Sequence, residues 1–224
     1  MEAATGGRRE RRKAQTRAEI RAAAQQLFAQ RGFDAVTIAD VATAAGVAVQ
    51  TVFNHFESKE ALFFDGRTPW VEGVAAAVAT RPSGSAPLAA LRSFLESDLA
   101  QLLAQEAQPE NRSYLTTLAR STSLQERERT LVEQAGSRVA IELARAISSM
   151  EQPDGAPVDL LSRLAAGLFF VAGRVLVLEN RRQVLSAGSG AGTGRRGDGA
   201  TAATLAMLED AVRRLAAQLD VRID

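Results

Sequence analysis

The sequence predicts an all-α protein of about nine helices: an N-terminal three-helix unit containing a helix-turn-helix, then a larger helical body. Two observations carry that prediction. Alanine and leucine abound while β-branched runs are scarce, and apolar residues recur at spacings of three and four rather than two. Hydrophobic residues make up 46% and charged residues 24% of the 224, as in an ordinary soluble globular protein. The chain has no cysteine, which excludes a disulfide frame and a thiolate metal site or nucleophile and suits a reducing cytoplasm. Its first residues, MEAATGGRRERRK, lack the apolar stretch of a secretion signal. The longest apolar run, Leu164 to Gly173, is closed by Arg163 and Arg174 and falls far short of the roughly 20 residues of a membrane span. A soluble cytoplasmic protein with no membrane partner is expected.

Residues 1–13 form a basic arm. Net charge is only +1, so the placement of charge matters more than its total. Arg8, Arg9, Arg11, Arg12, Lys13 and Arg17 crowd together with one acid, Glu10. A charge run is ordinarily a solvated tail; this one lies just before the helix-turn-helix, where it can neutralise phosphates and release counterions. The first long helix is expected from about Arg9 to Arg31, with Ile20, Ala23, Ala24, Leu27 and Phe28 on one face and Gly32 at its end.

The helix-turn-helix spans residues 37–56, TIADVATAAGVAVQTVFNHF. Thr37 and Asp40 have the spacing of a reciprocal N-terminal cap. Ile38, Val41, Ala42 and Ala45 give the first short helix an apolar face, and Gly46 supplies the positive φ needed to leave it. Val47, Val52 and Phe56 point back inward, leaving Val49, Gln50, Thr51, Phe53, Asn54 and the chain's single histidine, His55, on the outer side. Eight residues from Val49 to Phe56 make a rod of roughly 12 Å, which fits a major groove.

Ser58 is placed to cap a fourth helix through Lys59, Glu60, Ala61 and Leu62, and Pro69 should interrupt it. The head therefore spans residues 14–74 and the body residues 75–224. After a break at RPSGSAP, helices are expected at about Leu88 to Gln105, Asn111 to Arg120 and Leu124 to Met150. Two seams with a 3-4 alternation follow. Leu161, Leu164, Leu168, Val171, Val175 and Leu178 form one; Leu205, Leu208, Val212, Leu215 and Leu219 form the other. Such seams pack either into the monomer core or across a two-fold axis as a four-helix bundle, and Gly167 and Gly173 would allow close approach. Between them, residues 186–199 read as a flexible glycine-rich loop. A GxGxxG match at Gly192, Gly194 and Gly197 lacks the preceding strand that a dinucleotide fold requires.

The basic first helix, TIADVATAAGV, TVFNHF and SKEAL together resemble the TetR family of bacterial transcriptional regulators, at motif level from about Arg11 to Phe64. The resemblance implies an all-α homodimer with a DNA-binding head and a C-terminal ligand-binding and dimerisation body. It further implies a repressor that leaves a double-stranded palindromic operator when a small hydrophobic or amphipathic effector binds, with no cofactor. Thr37 and Lys59 would hold phosphates at the two ends of the motif, and Val49, Gln50, Thr51, Phe53, Asn54 and His55 would line the DNA side. Arg11, Arg12, Lys13 and Arg17 would add salt-sensitive affinity. Gln50 and Asn54 have the amide that pairs with adenine, and Val49 can meet a thymine methyl. Two positions depart from the family pattern: Ala48 replaces a serine-like cap, and Phe53 replaces a tyrosine and so lacks a hydroxyl for phosphate.

Candidates for an effector chamber are Trp70, Phe94, Leu95, Tyr114, Leu118, Met150, Phe169 and Arg174, although aromatics at helical spacing are usually plain core. An enzyme fares badly. One histidine inside the motif and no ligand-spaced histidine or carboxylate cluster leave no catalytic set and no metal site. An architectural or division-related DNA binder of the same fold, with no small inducer, is the nearer alternative.

Overall fold

The computed structural model describes residues 3–186 and 194–223. Among the described residues there are eleven α-helices and no strand: α1 (Ala3–Arg31), α2 (Ile38–Ala44), α3 (Val49–His55), α4 (Lys59–Phe64), α5 (Pro69–Glu72), α6 (Val74–Ala79), α7 (Pro87–Glu106), α8 (Arg112–Arg120), α9 (Thr122–Ser148), α10 (Val158–Ser186) and α11 (Gly194–Gln218). They gather into two compact units, Met1–Thr68 with Thr116–Arg127, and Pro69–Leu115 with Glu128–Asp224.

In the first unit the basic arm is not a tail: α1 starts at Ala3, ahead of the expected Arg9. Ile20, Ala24 and Phe28 are its buried stripe. Gly32 ends it at φ +79°, its N–H donating to the Phe28 carbonyl at 3.0 Å. Phe28, Phe33 and Phe63 form an aromatic knot with centroids 5.2 to 5.7 Å apart, and truncating one such ring to alanine costs about 3–5 kcal/mol. Val41, Val52 and Phe56 are buried beside them, so α2 and α3 rest on α1 by the residues expected to point inward. A contribution absent from the sequence pattern comes from residues 116–127. Leu118 and Leu124 are buried there, Ser121 Oγ donates to Asp34 Oδ1 at 3.2 Å, and Arg127 pairs with Glu57 at 2.5 Å.

The second unit is organised around α7, whose Leu88, Leu91, Leu95, Leu99 and Leu102 are all buried; it packs against α5, α6, α10 and α11. The two apolar seams separate here. In α11, Leu205 and Val212 are buried and the half-buried Leu208, Leu215 and Leu219 pack against the same core, so this seam faces the monomer interior. In α10, Leu161 is buried, but Leu164, Leu168, Val171, Val175 and Leu178 are exposed, Val171 by 65% and Val175 by 59%. The inward side of α10 carries Ala165, Phe169 and Val177 instead. Gly173 admits close approach, since a Cβ there would lie 3.2 Å from the Trp70 ring, whereas a Cβ at Gly167 would meet nothing within 4 Å. α10 is long and apolar enough to cross a membrane, as core helices of soluble proteins also are, and 44% of its apolar window is buried within the protein.

One buried ionic cluster ties three helices of this unit. Arg181 of α10 donates through Nε to Glu106 of α7 at 2.9 Å and through Nη1 to Glu128 of α9 at 2.7 Å. Burial pushes the Glu106 carboxyl above its ordinary range against the opposing pull of Arg181. Residues 187–193 of the expected glycine loop lie outside the described residues. Its remainder is corrected, because α11 already begins at Gly194. Gly192 is likewise outside the described residues, while Gly194 and Gly197 lie on a helix that α10 precedes in the chain, and among the described residues no strand stands before them to make a dinucleotide turn.

Candidate nucleic-acid interface

The reciprocal cap expected at Thr37 is formed. Asp40 N–H donates to Thr37 Oγ1 at 3.1 Å, and Thr37 N–H and Oγ1 donate to Asp40 Oδ2 at 2.8 and 2.7 Å. Those bonds, the backbone one foremost, hold the Asp40 carboxyl below its ordinary value of 3.8. Thr37 is exposed, with its hydroxyl already engaged. Gly46 turns the chain at φ +66°. Ala48 then begins α3 without a side-chain cap, which forgoes about 1 kcal/mol that serine or threonine would supply.

On α3, Val49, Gln50, Phe53 and Asn54 are exposed, and Thr51 and His55 are half-buried. Gln50 Nε2 donates to Asn54 Oδ1 at 3.2 Å, one turn apart. Gln50 thereby keeps its Oε1 and one N–H available, the pair of groups that matches adenine N6 and N7. His55 turns toward α1 instead. With Asn54 it lines a concavity of about 310 Å³ whose other wall is Arg9, Arg12, Lys13 and Thr16, and its Nδ1 is buried with no hydrogen-bond partner.

Two of the expected phosphate contacts are structural ties in this conformation. Arg17 donates through Nη1 to the His55 carbonyl at 2.5 Å and through Nε and Nη2 to Asp65 Oδ1 at 3.2 and 2.5 Å. Its guanidinium also lies 4.2 Å from the Phe56 ring centroid. Lys59 Nζ donates to the Phe33 and Val36 carbonyls at 3.0 Å each and sits 4.2 Å over the Phe33 ring. Arg17 thus clamps the C-terminal end of α3, and Lys59 ties the start of α4 to the loop before α2. Arg11 bonds the Gly7 carbonyl at 3.0 Å. Sequence reasoning missed Asp65, shared by Arg17 and Arg21, because nothing local links positions so far apart.

The eight expected chamber residues fall in both units. Trp70, Leu95 and Phe169 are buried core, Phe94, Tyr114 and Met150 are half-buried, and Leu118 belongs to the first unit. Of the eight, Arg174 alone lines the observed cleft, which lies between α9 and α10. Among the described residues no group of three metal-ligating side chains occurs.

An exposed amide pair on the second helix of a helix-turn-helix, backed by a basic helix, has the form of a DNA-reading head. Residues 20–65 match the family model described as bacterial regulatory proteins, tetR family. It is 34% identical over 85 residues to the HTH-type transcriptional regulator TcmR of Streptomyces glaucescens, covering 38% of each chain. It is 44% identical over 46 residues to the HTH-type transcriptional repressor KstR2 of Rhodococcus jostii (strain RHA1), covering 20% of this chain and 22% of that one. The matched stretches thus span well under half of either relative. The SmeT–triclosan complex has the same fold, at a TM-score of 0.56 and 19% identity, over 88% of this chain and 90% of that one. TcmR is a transcriptional regulator and KstR2 a transcriptional repressor.

Proposed function

We propose that the protein is a homodimeric, cytoplasmic repressor that reads a palindromic double-stranded operator with α3 and is released by a small-molecule effector. The observation that carries the reading is the exposed Gln50–Asn54 pair on a helix clamped from behind by Arg17. Gln50 reads adenine, steadied by Asn54, while Val49 and Phe53, both exposed, supply apolar contact to thymine methyls. Arg9, Arg12 and Lys13 face the concavity beside His55 and hold a backbone phosphate there, which fixes register without reading sequence. Thr51 lies at the edge of the reading surface, and Arg11 adds affinity from farther along α1. Thr37 and Lys59 contribute by fixing the loop and helix ends, with the third N–H of Lys59 left for a phosphate.

The exposed strip on α10 supports the homodimer. Leu164, Leu168, Val171, Val175 and Leu178 make a continuous apolar stripe of the kind that marks an interaction face, and an isologous α10 pair would cover it. Two heads spaced about 34–36 Å apart then meet one face of the duplex. An effector acts by preferring one of two dimer geometries.

Selection from random duplex DNA should return a palindrome. Gln50→Ala should relax preference at one base pair per half-site by about 1–3 kcal/mol, and light scattering should give twice the 23.8 kDa chain mass. No enriched sequence, or a monomer mass at micromolar concentration, would overturn the reading.

A further inference from the structure

The second unit holds a cleft of about 400 Å³ between α9 and α10, within the range of small-molecule sites. The two helices run antiparallel: Gly136 faces Phe170, where an added Cβ would lie 3.7 Å from the ring, and farther along Glu128 pairs with Arg181. Val132, Ala140, Ala166 and Phe170 give the cleft a buried apolar floor. Its polar lining is unequal in charge, with Arg129, Arg163 and Arg174 set against a single carboxylate, Glu133.

Arg174 separates this cleft from ordinary core. Its Nε is buried and meets no hydrogen-bond acceptor. Arg181, the buried arginine of α10, is by contrast bonded to two carboxylates. A shielded cationic donor without an acceptor is costly, and two further arginines at the same opening add to the shortage of negative charge. Val171 of the exposed α10 stripe also lines the cleft, so the cleft borders the proposed dimer face, and its three arginines call for an anion.

The geometry points to a binding site for a small amphipathic organic anion, a carboxylate with an apolar tail. The head group accepts from Arg174 with Arg129 and Arg163 around it, and the tail lies over Phe170. This assignment rests on the reading of the protein as an effector-responsive regulator and names the effector's class. It also supplies a route for the signal. The Phe170 ring stacks 5.8 Å from the ring of Trp70, which belongs to α5, the helix by which the chain enters the second unit after Thr68. A tail that shifts Phe170 therefore shifts Trp70 and α5.

Trp70 is the chain's single tryptophan, so its emission reports on the cleft. The test titrates the full chain with decanoate, decanol and decyltrimethylammonium, followed by tryptophan emission and calorimetry. Decanoate should bind and change the emission, and the cationic probe should not bind. Arg174→Gln should weaken decanoate by roughly tenfold or more, the loss of a charge-assisted bond, and leave decanol nearly unchanged; Arg174→Lys should restore part of the loss. Gly167→Leu extends into open space, folds, and should exclude both decanoate and decanol. The proposal is overturned if decanoate does not bind, if the cation binds equally well, or if both variants bind decanoate as the wild type does. Selected DNA bound without any decanoate binding removes this site and leaves the regulator reading intact. Decanoate bound with no DNA sequence selected does the reverse.

Discussion

Replacing Arg17 by methionine tests whether this residue is a clamp or a phosphate contact. Methionine keeps an unbranched apolar stem while removing every polar bond. The lost bonds are the one to the His55 carbonyl, the pair with Asp65 and the cation–π contact with Phe56. The carbonyl bond is worth about 1.5–3 kcal/mol as a charged-donor bond. Because the Arg17 side chain is 44% exposed, the ion pair is discounted to about 0.2–1 kcal/mol, and the ring contact adds about 0.5–1 kcal/mol. A loss of about 2–5 kcal/mol is expected for the first unit, read as an earlier transition in urea. DNA affinity should fall because α3 is less firmly held, more for the selected site than for scrambled duplex. The slope of log affinity against log salt should stay as in the wild type, since no phosphate contact has gone. Arg12→Met, on the wall of the concavity, should do the opposite: no change in urea, and a slope shallower by about 0.9, one phosphate's worth. An Arg17→Met protein with wild-type urea stability and a slope reduced by that amount would refute the clamp.

Two further predictions concern ionisable groups. Asp40 is held below its ordinary value of 3.8 in the folded protein. Its stabilising effect is therefore present above that value and lost as pH falls through the folded one. Thermal midpoints of wild type and Asp40→Ala should accordingly converge on acidification from about pH 6 to about pH 3. Arg181→Met leaves Glu106 and Glu128 buried without a cation, which should cost about 3–5 kcal/mol. Glu106 is already raised by burial, and a carboxyl raised in the folded state contributes stability below its unfolded value that is lost as pH rises. Without Arg181 to oppose burial that rise grows, so the variant should lose stability more steeply than wild type as urea midpoints are followed upward from about pH 5. Replacing all three residues by apolar ones of similar size should recover most of the loss.

The head was legible in the sequence because its signals are local. Thr37 and Asp40 stand three apart, Gly46 marks the turn, and the stripe from Ile20 to Phe28 repeats within one helix; each works through backbone geometry or helical periodicity. The start of α3 was legible for the same reason, since Ala48 offers no cap. The roles of Arg17 and Lys59 were not. Their partners, Asp65 and the Phe33 and Val36 carbonyls, are tens of residues away, and a cation reads the same in a sequence whether a phosphate or a carbonyl will receive it. The cleft was hidden for a related reason. Its floor depends on where Gly136 of α9 meets Phe170 of α10, a register between two helices that their separate periodicities leave open, so Phe169 stood among the candidates and Phe170 did not.

The two seams show what periodicity does and does not determine. Leu161 to Leu178 and Leu205 to Leu219 have the same 3-4 spacing, yet the second lies against α7 and most of the first faces outward. The difference lies in the residues between. The rest of α10 supplies Ala165, Ala166, Phe169, Phe170 and Val177, all buried, so the core takes that second apolar face and leaves the leucine–valine stripe outside. Opposite the α11 seam stand Asp210, Arg213 and Arg214, which pair with carboxylates or with one another at the surface, so α11 has one apolar face and spends it inside the monomer. A helix with two apolar faces can bury one within its own fold and one against a partner; a helix with one cannot. That asymmetry is why the homodimer reading rests on α10 alone.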